Sequence, residues 1–258
     1  MKIHKKILEI SPVEMTILNH LNDLRKRIVR SFIGVLIGFL CVYHFSELLF
    51  QWLMNPMCAA IGQADCPVVY TGIAEPFMVY LKVGFLGGIF LAAPWIFYQV
   101  WGFISPGLHS HEKKYVVPFV SVATIMFVGG ALLGYFFIFP LAFEFFLKVA
   151  GPEIRPMLTM SDYLSFASGL LFAFGALFEI PVFVVLLNLI GLLKAETLWR
   201  TWRPVSAGIF VLAAVLTPAD PYTLLLLGVP LVVMYIGALC LCSIFEKLRI
   251  KSVHRNNE

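Results

Sequence analysis

Long blocks of predominantly apolar residues, separated by short polar segments, occupy most of this chain. A helix rises about 1.5 Å per residue and the hydrocarbon core of a bilayer is about 30 Å thick. A block of about 18 or more apolar residues with few charges therefore reads as a membrane span. The residues are 60% hydrophobic and 13% charged, where a soluble domain has nearer half and a quarter. The segments between the blocks are too short to bury a core, so residues 1–258 are expected to form one membrane domain and no separate soluble domain. Spans are expected at 31–54, 77–101, 116–146, 163–193, 204–216 and 222–244. Residues 1–30 then form an N-terminal segment and 246–258 a tail. About thirty residues precede the first apolar run and no small-residue cleavage site follows it, so that run is expected to be retained.

Charge reports orientation. If alternate loops are assigned to the two faces, only Lys82, Lys148 and Arg155 of the 19 Lys and Arg fall on one face. The rest lie in the N-terminal segment, the loops near Lys113 and Arg200, and the tail. The positive-inside rule puts this basic face, and both termini, in the cytoplasm. An odd number of spans would scramble the alternation, so six spans and this orientation support each other.

Two spans have unusual lengths. The third, at about 31 residues, would run about 46 Å if straight, so it must tilt, project or bend, and Pro140 offers a kink. The fifth, at about 13 residues, reaches only about 20 Å. Either interfacial Trp199, Trp202 and snorkelling Arg200, Arg203 extend it, or the bilayer thins around it. No internal repeat of the kind that marks inverted-repeat transporters is present.

Glu179 lies deep in the fourth span, in Phe178-Glu179-Ile180-Pro181. A carboxylate at that depth costs at least about 2.5 kcal/mol when charged, so it is expected to be protonated or to face a polar groove. Pro181 leaves the carbonyl near Leu177 without its helical donor and adds a second polar group. Function is the default for such a carboxylate, and a neutral, hydrogen-bonded packing role is the alternative. Lys82 and Glu144 lie close enough to their spans' ends to snorkel. On the basic face, Asp23 lies in His20-Leu-Asn-Asp-Leu-Arg-Lys-Arg27 and Glu112 in Pro106-Gly-Leu-His-Ser-His-Glu-Lys-Lys114. These acids either pair with neighbouring cations on a solvated surface or receive a cationic ligand. A carboxylate matches guanidinium bidentately, so two such acids suit a ligand with adjacent arginines.

Other chemistries are not indicated. No Gly-Lys dipeptide occurs, which excludes a P-loop. His109, His111 and Glu112 are not ordered as in a zinc helix, and no cofactor, metal, nucleophile–base pair or nucleic-acid surface is expected. Cys41, Cys240 and Cys242 fall in spans and read as small apolar residues. Cys58 and Cys66 share the first exported loop, where a disulfide is a candidate in an oxidising compartment.

Five blocks together resemble the TatC family, the multi-spanning subunit of the twin-arginine protein translocase, over roughly residues 16–250. His20 to Arg27 resembles that family's His-Leu-x-Glu-Leu-Arg-x-Arg. Pro94-Trp-Ile-Phe-Tyr-Gln-Val-Trp-Gly-Phe103 leads into Pro106 to Lys114, similar to the first cytoplasmic loop. Phe174-Gly-Ala-Leu-Phe-Glu-Ile-Pro181 matches a fourth-span motif and Leu216-Thr-Pro-Ala-Asp220 a last external turn. The resemblance implies an all-α membrane protein with six transmembrane helices in a single concave, glove-like bundle. It implies a receptor without catalysis in the bacterial cytoplasmic (inner) membrane. Such a receptor binds Arg-Arg signal peptides of folded precursors and recruits TatB- and TatA-type single-span partners in a multi-copy complex driven by the proton-motive force. By the same resemblance Glu112 and Asp23 bind the arginines, while Phe103 and Arg25 shape that surface. Glu179 faces the concavity, and Thr217 and Asp220 contact a partner helix. This sequence departs from the pattern with Asp23 in place of Glu and with Leu224 where many members carry a polar residue. The rival function is a proton-coupled small-solute transporter using Glu179, but such a protein usually has repeats and polar residues on several spans.

Overall fold

The computed structural model describes residues 12–61, 68–104, 116–150, 157–189, 191–216 and 221–255. In hydrocarbon a peptide group finds no water, so a spanning chain must satisfy its own N–H and C=O groups, and the apolar blocks are accordingly helical. The helices are α1 (Pro12–Tyr43), α2 (Ser46–Ile61), α3 (Glu75–Ile104), α4 (Val116–Leu133), α5 (Phe139–Ala150), α6 (Met160–Leu189), α7 (Ala195–Arg200), α8 (Trp202–Leu216) and α9 (Pro221–Arg255). A π-helical turn, Gly134–Ile138, joins α4 to α5. Among the described residues the only β pairing is an isolated bridge between Val69 and Thr159.

Among the described residues, four helical segments are long and apolar enough to cross a membrane: Glu75–Ile104, Val116–Val149, Met160–Leu189 and Leu227–Lys247. A fifth is counted if α1 and α2, bent by 84° at their junction, form one broken span. The stretch 31–54, expected to be one span, is therefore not a single straight helix. The chain turns at His44 and Phe45, where the Phe45 N–H bonds the Val42 carbonyl at 2.8 Å. Ser46 and Glu47 then open α2 with the hydroxyl and acid that favour a helix N-terminus. Trp202–Val215 is apolar but shorter, the length anomaly expected of the fifth block.

The third block changes its helical register at a π-turn. The Phe139 N–H reaches back to the Gly134 carbonyl, one residue further than in an α-helix, immediately before Pro140. A proline removes one donor and crowds the preceding turn, and a π-turn absorbs the misfit. α6 stops at Leu189 rather than at 193 because Gly191 takes a positive φ of 79°. The Gly191 and Leu192 N–H groups cap the carbonyls of Asn188 and Leu187 at 3.0 Å each, a glycine-dependent helix ending.

α1 lies along α3, α4 along α6, and α9 against α6 and α8. The first pair approaches closely where Gly38 faces Gly88. A Cβ on Gly38 would come within 2.5 Å of the Gly88 carbonyl oxygen, so any side chain there would force the helices apart. One aromatic-rich core runs through α2, α3, α5, α6 and α9, with Phe139, Phe174, Tyr163 and Tyr235 fully buried. The outward faces carry exposed Phe32, Leu40, Ile125 and Val211, as surfaces solvated by lipid tails should.

α2 is held by phenols. Pro56 interrupts α2 and leaves the Trp52 carbonyl without its helical donor. The Tyr135 hydroxyl, from the π-turn, donates to that carbonyl at 2.5 Å, and its ring stacks on Trp52. The Tyr163 hydroxyl of α6 donates to the next carbonyl, Leu53. At the same end Glu75 ties two loops together. Its Oε2 accepts from the Thr71 N–H at 2.7 Å, and its Oε1 from the Ser161 N–H at 3.0 Å.

Tyr135→Phe leaves the part-buried Trp52 carbonyl without a donor and should cost about 1 kcal/mol. Thermal unfolding in detergent checks this, and the loss should shrink in a Pro56→Ala background, where the helix regains its own donor. Equal losses in both backgrounds would show that the phenol does not compensate the proline.

Candidate functional site

Two places in the fold carry the residues singled out by the sequence. The first is the corner where the start of α1 meets the end of α3. The His20 ring stacks on Phe103 with centroids 4.3 Å apart and planes at 27°. One helical face further along, the Arg27 guanidinium packs over Gly102, where any Cβ would collide with it. His20, Asp23 and Arg27 follow the three- and four-residue spacing of one helix face. Asp23 and Arg25 are exposed, and among the described residues neither forms an ion pair. The corner thus presents a carboxylate and a guanidinium to solvent beside a half-buried aromatic stack.

Glu112 lies outside the described residues, and beside the corner the end of α3 packs on the start of α4 and on α6. Trp101 and Phe119 pack with ring centroids 4.7 Å apart, and Ile104, Val116 and Leu186 join the same cluster. Asp23, Arg25 and Phe103 are gathered at one corner, through the His20–Phe103 stack and the Arg27–Gly102 contact.

The second place is Glu179. Ten residues separate it from the end of α6, about 15 Å along the axis. Its side chain is only 6% exposed. The Phe127 backbone of α4 lies within hydrogen-bonding reach of the carboxylate, and among the described residues Oε1 has no partner. The α4–α6 crossing is tight, because a Cβ on Gly130 would lie 2.7 Å from the Phe174 carbonyl oxygen and one on Gly175 2.8 Å from the Phe127 ring. Two residues on, Pro181 and Val182 line an apolar groove of about 530 Å³ shared with Met126 of α4 and Met234 and Ala238 of α9. Glu179 itself is not among the residues that line this groove; its carboxyl group is buried beside α4.

Of the remaining residues, Lys82 is exposed and Glu144 pairs with Lys148 at 2.7 Å on the surface. Thr217, Asp220 and Cys66 lie outside the described residues, and so does the Cys58–Cys66 pairing. Thr217 directly follows α8 and Asp220 directly precedes α9. Cys242 is buried, while Cys41 and Cys240 are exposed on span faces. Among the described residues no group of three or more His, Cys, Asp or Glu side chains could hold a metal ion.

The sequence reading missed a polar lock at the basic end. Asn188, 5% exposed, donates through Nδ2 to the Glu246 carboxylate at 2.8 Å and to the Leu193 carbonyl at 2.8 Å. The same Glu246 oxygen accepts from the Ala195 N–H at 2.7 Å, which joins α6, the start of α7 and α9. Trp199 adds a bond from Nε1 to Ser243 Oγ at 2.8 Å. The available signal was an Asn at the close of one apolar block and a Glu ahead of the basic tail. Nothing local distinguishes Glu246 from an ordinary solvated charge. Glu246→Ala should cost about 2 kcal/mol, the scale of hydrogen bonds to a charged group. Hydrogen exchange at the Ala195 amide should speed up in parallel, and unchanged exchange would count against the lock.

Comparison with known proteins gives consistent matches. Residues 19–230 match the family model "Sec-independent protein translocase protein (TatC)". The chain is 41% identical over 216 residues to the Sec-independent protein translocase protein TatC of Desulforapulum autotrophicum, covering 84% of this chain and 80% of the relative. It is 35% identical over 219 residues to the protein of that name from Escherichia coli strain K12, covering 85% of this chain and 84% of the relative. A crystal structure described as the twin arginine translocase receptor TatC superposes with a TM-score of 0.73 at 32% identity, covering 86% of this chain and 98% of that one.

Proposed function

Because the chain belongs to the TatC family, a non-enzymatic component of the Sec-independent protein translocase, we propose that it is the receptor core of twin-arginine export in a bacterial cytoplasmic (inner) membrane. It is a multi-pass membrane protein. In the proposed arrangement it crosses six times in a concave bundle, with α1 and α2 forming the first, broken crossing and both termini in the cytoplasm. The charge asymmetry of the loops supports this orientation.

The Arg-Arg pair of a folded precursor's signal peptide meets Glu112 and Asp23 at the α1–α3 corner. Bonds from guanidinium to carboxylate are about twice as strong as neutral ones and can be bidentate, which lets the site prefer arginine to lysine. Asp23 reaches one methylene less far than Glu, so Glu112 is the principal anchor. Phe103, stacked on His20, forms the apolar floor, and exposed Arg25 repels cations that lack the geometry to reach the acids. The signal peptide's apolar stretch then lies along the bilayer near the Glu179 groove. TatB- and TatA-type single-span partners join at the turn holding Thr217 and Asp220, and the proton-motive force drives transport by a multi-copy complex. The observation that carries this reading is the family match across residues 19–230, which includes the corner, the Glu179 motif and the α8–α9 turn.

The test is crosslinking of a twin-arginine peptide to the protein in membranes. Wild type should capture an Arg-Arg peptide at least about tenfold better than a Lys-Lys peptide, a difference of about 1.4 kcal/mol. Glu112→Ala should remove most of that preference and Glu112→Lys all capture. Indifference of wild type to the arginines would defeat the receptor assignment. A separate outcome is expected for Glu179→Ala, in which peptide capture at the surface persists while export or partner recruitment falls. Normal export by that variant would remove Glu179 from the mechanism.

A further inference from the structure

On the bilayer-facing side of the α1–α3 pair lies a groove of about 420 Å³, bounded by Arg30, Gly34, Ile37, Gly38, Leu91 and Trp95. It runs along the seam where Gly34 and Gly38 let α1 close onto α3, and its walls are pre-formed. Trp95 Nε1 donates to the Arg30 carbonyl at 3.0 Å, and a Cβ on Gly34 would collide with the indole. Ile37 and Leu91, 58% and 57% exposed, form the outer rims. Arg30 is the sole charged group on the lining and stands at the basic end, where the polar block of α1 gives way to its apolar stretch. Among the described residues it has no ion-pair partner. Lys26 is exposed one turn further out, and no acid lines the groove.

We propose that this groove binds an anionic phospholipid, with the phosphate on Arg30 and an acyl chain laid between α1 and α3 along Ile37 and Trp95. Two features select this occupant. Charge complementarity comes first: a lone cation at the mouth of an otherwise apolar slot matches a molecule with an anionic head and a hydrocarbon tail. Size comes second. A helix is about 10 Å across, so two turns of one already fill about 800 Å³, and a partner helix would rest over the groove rather than in it. A flexible chain fills such a slot at the cost of far less displaced surface. The assignment to the cytoplasmic leaflet rests on the orientation proposed above, while the site itself does not.

The full-length protein, reconstituted in nanodiscs, provides the test. Phosphatidylglycerol or phosphatidylcholine with brominated acyl chains is titrated in, and Trp95 quenching is isolated by subtracting the Trp95→Phe signal. One favourable cationic contact predicts that brominated phosphatidylglycerol reaches half-quenching at about one-fifth the mole fraction needed for phosphatidylcholine. Arg30→Gln should abolish the difference, and Lys148→Gln, at the opposite end of the fold, should leave it. Equal quenching by the two lipids, or a preference that survives Arg30→Gln, overturns the proposal. Loss of the preference when millimolar inorganic phosphate is added would assign Arg30 to free phosphate and overturn it too. So would protection of Trp95 from both lipids, which would give the groove to a protein segment. Symmetric discs are blind to orientation, and twin-arginine peptide capture is measured on the same samples. A failed lipid preference with intact capture therefore overturns this site alone, and failed capture with an intact preference overturns only the receptor reading.

Discussion

A peptide group inside hydrocarbon has no water to turn to, and the rest of this structure follows from that constraint. It makes the apolar blocks helical and turns each intrahelical proline into a demand for a substitute partner. Pro56 opens α2 at the Trp52 carbonyl, and the Tyr135 phenol fills the vacancy from a helix 83 residues away in sequence. Pro140 is accommodated instead by the π-turn that precedes it. These two prolines are linked, because the π-turn that admits Pro140 also carries Tyr135. The π-turn of one helix thus carries the donor that repairs the other, and α2 is held against α5 and α6.

The same constraint separates the two candidate sites by chemistry. Asp23 at the α1–α3 corner is exposed, where a cationic ligand can reach it. Glu179 is buried beside α4 and is the only acidic or basic residue among the described residues that is buried. A solute pump working through it would need a chain of polar groups from one face to the other. The other buried polar residues, Ser46, Gln99, Asn188 and Ser206, are scattered over α2, α3, α6 and α8. That scatter, with the TatC family match, favours a scaffold that receives helices and peptides over one that conducts a solute.

Rigidity is concentrated at the two ends of the bundle. At one end, Glu75 and the Val69–Thr159 bridge tie the segment before α3 to the start of α6. At the other, Glu246 joins α6, α7 and α9 through hydrogen bonds to Asn188 and Ala195. Between them the helices meet largely through aromatic side chains and small-residue crossings, and apolar grooves stay open toward the bilayer.

The sequence by itself determined what depends on local composition. The apolar blocks, the anomalous length of the fifth, the basic asymmetry, the depth of Glu179 and the motif around Asp23 are all properties of residues near one another in the chain. Transfer free energy acts residue by residue, so they can be read from a string of letters. Tertiary structure decided what depends on which faces meet. The 84° turn between α1 and α2 lies within a block that reads as one continuous apolar run, because packing against α3 and α5 outweighs the local pattern there. How closely α4 approaches the helix that carries Glu179 is set by the crossing at Gly130 and Gly175, which no local pattern announces. Glu246 and Tyr135 acquire their roles from partners more than fifty residues distant, and no local signal in the sequence encodes a bond across that separation.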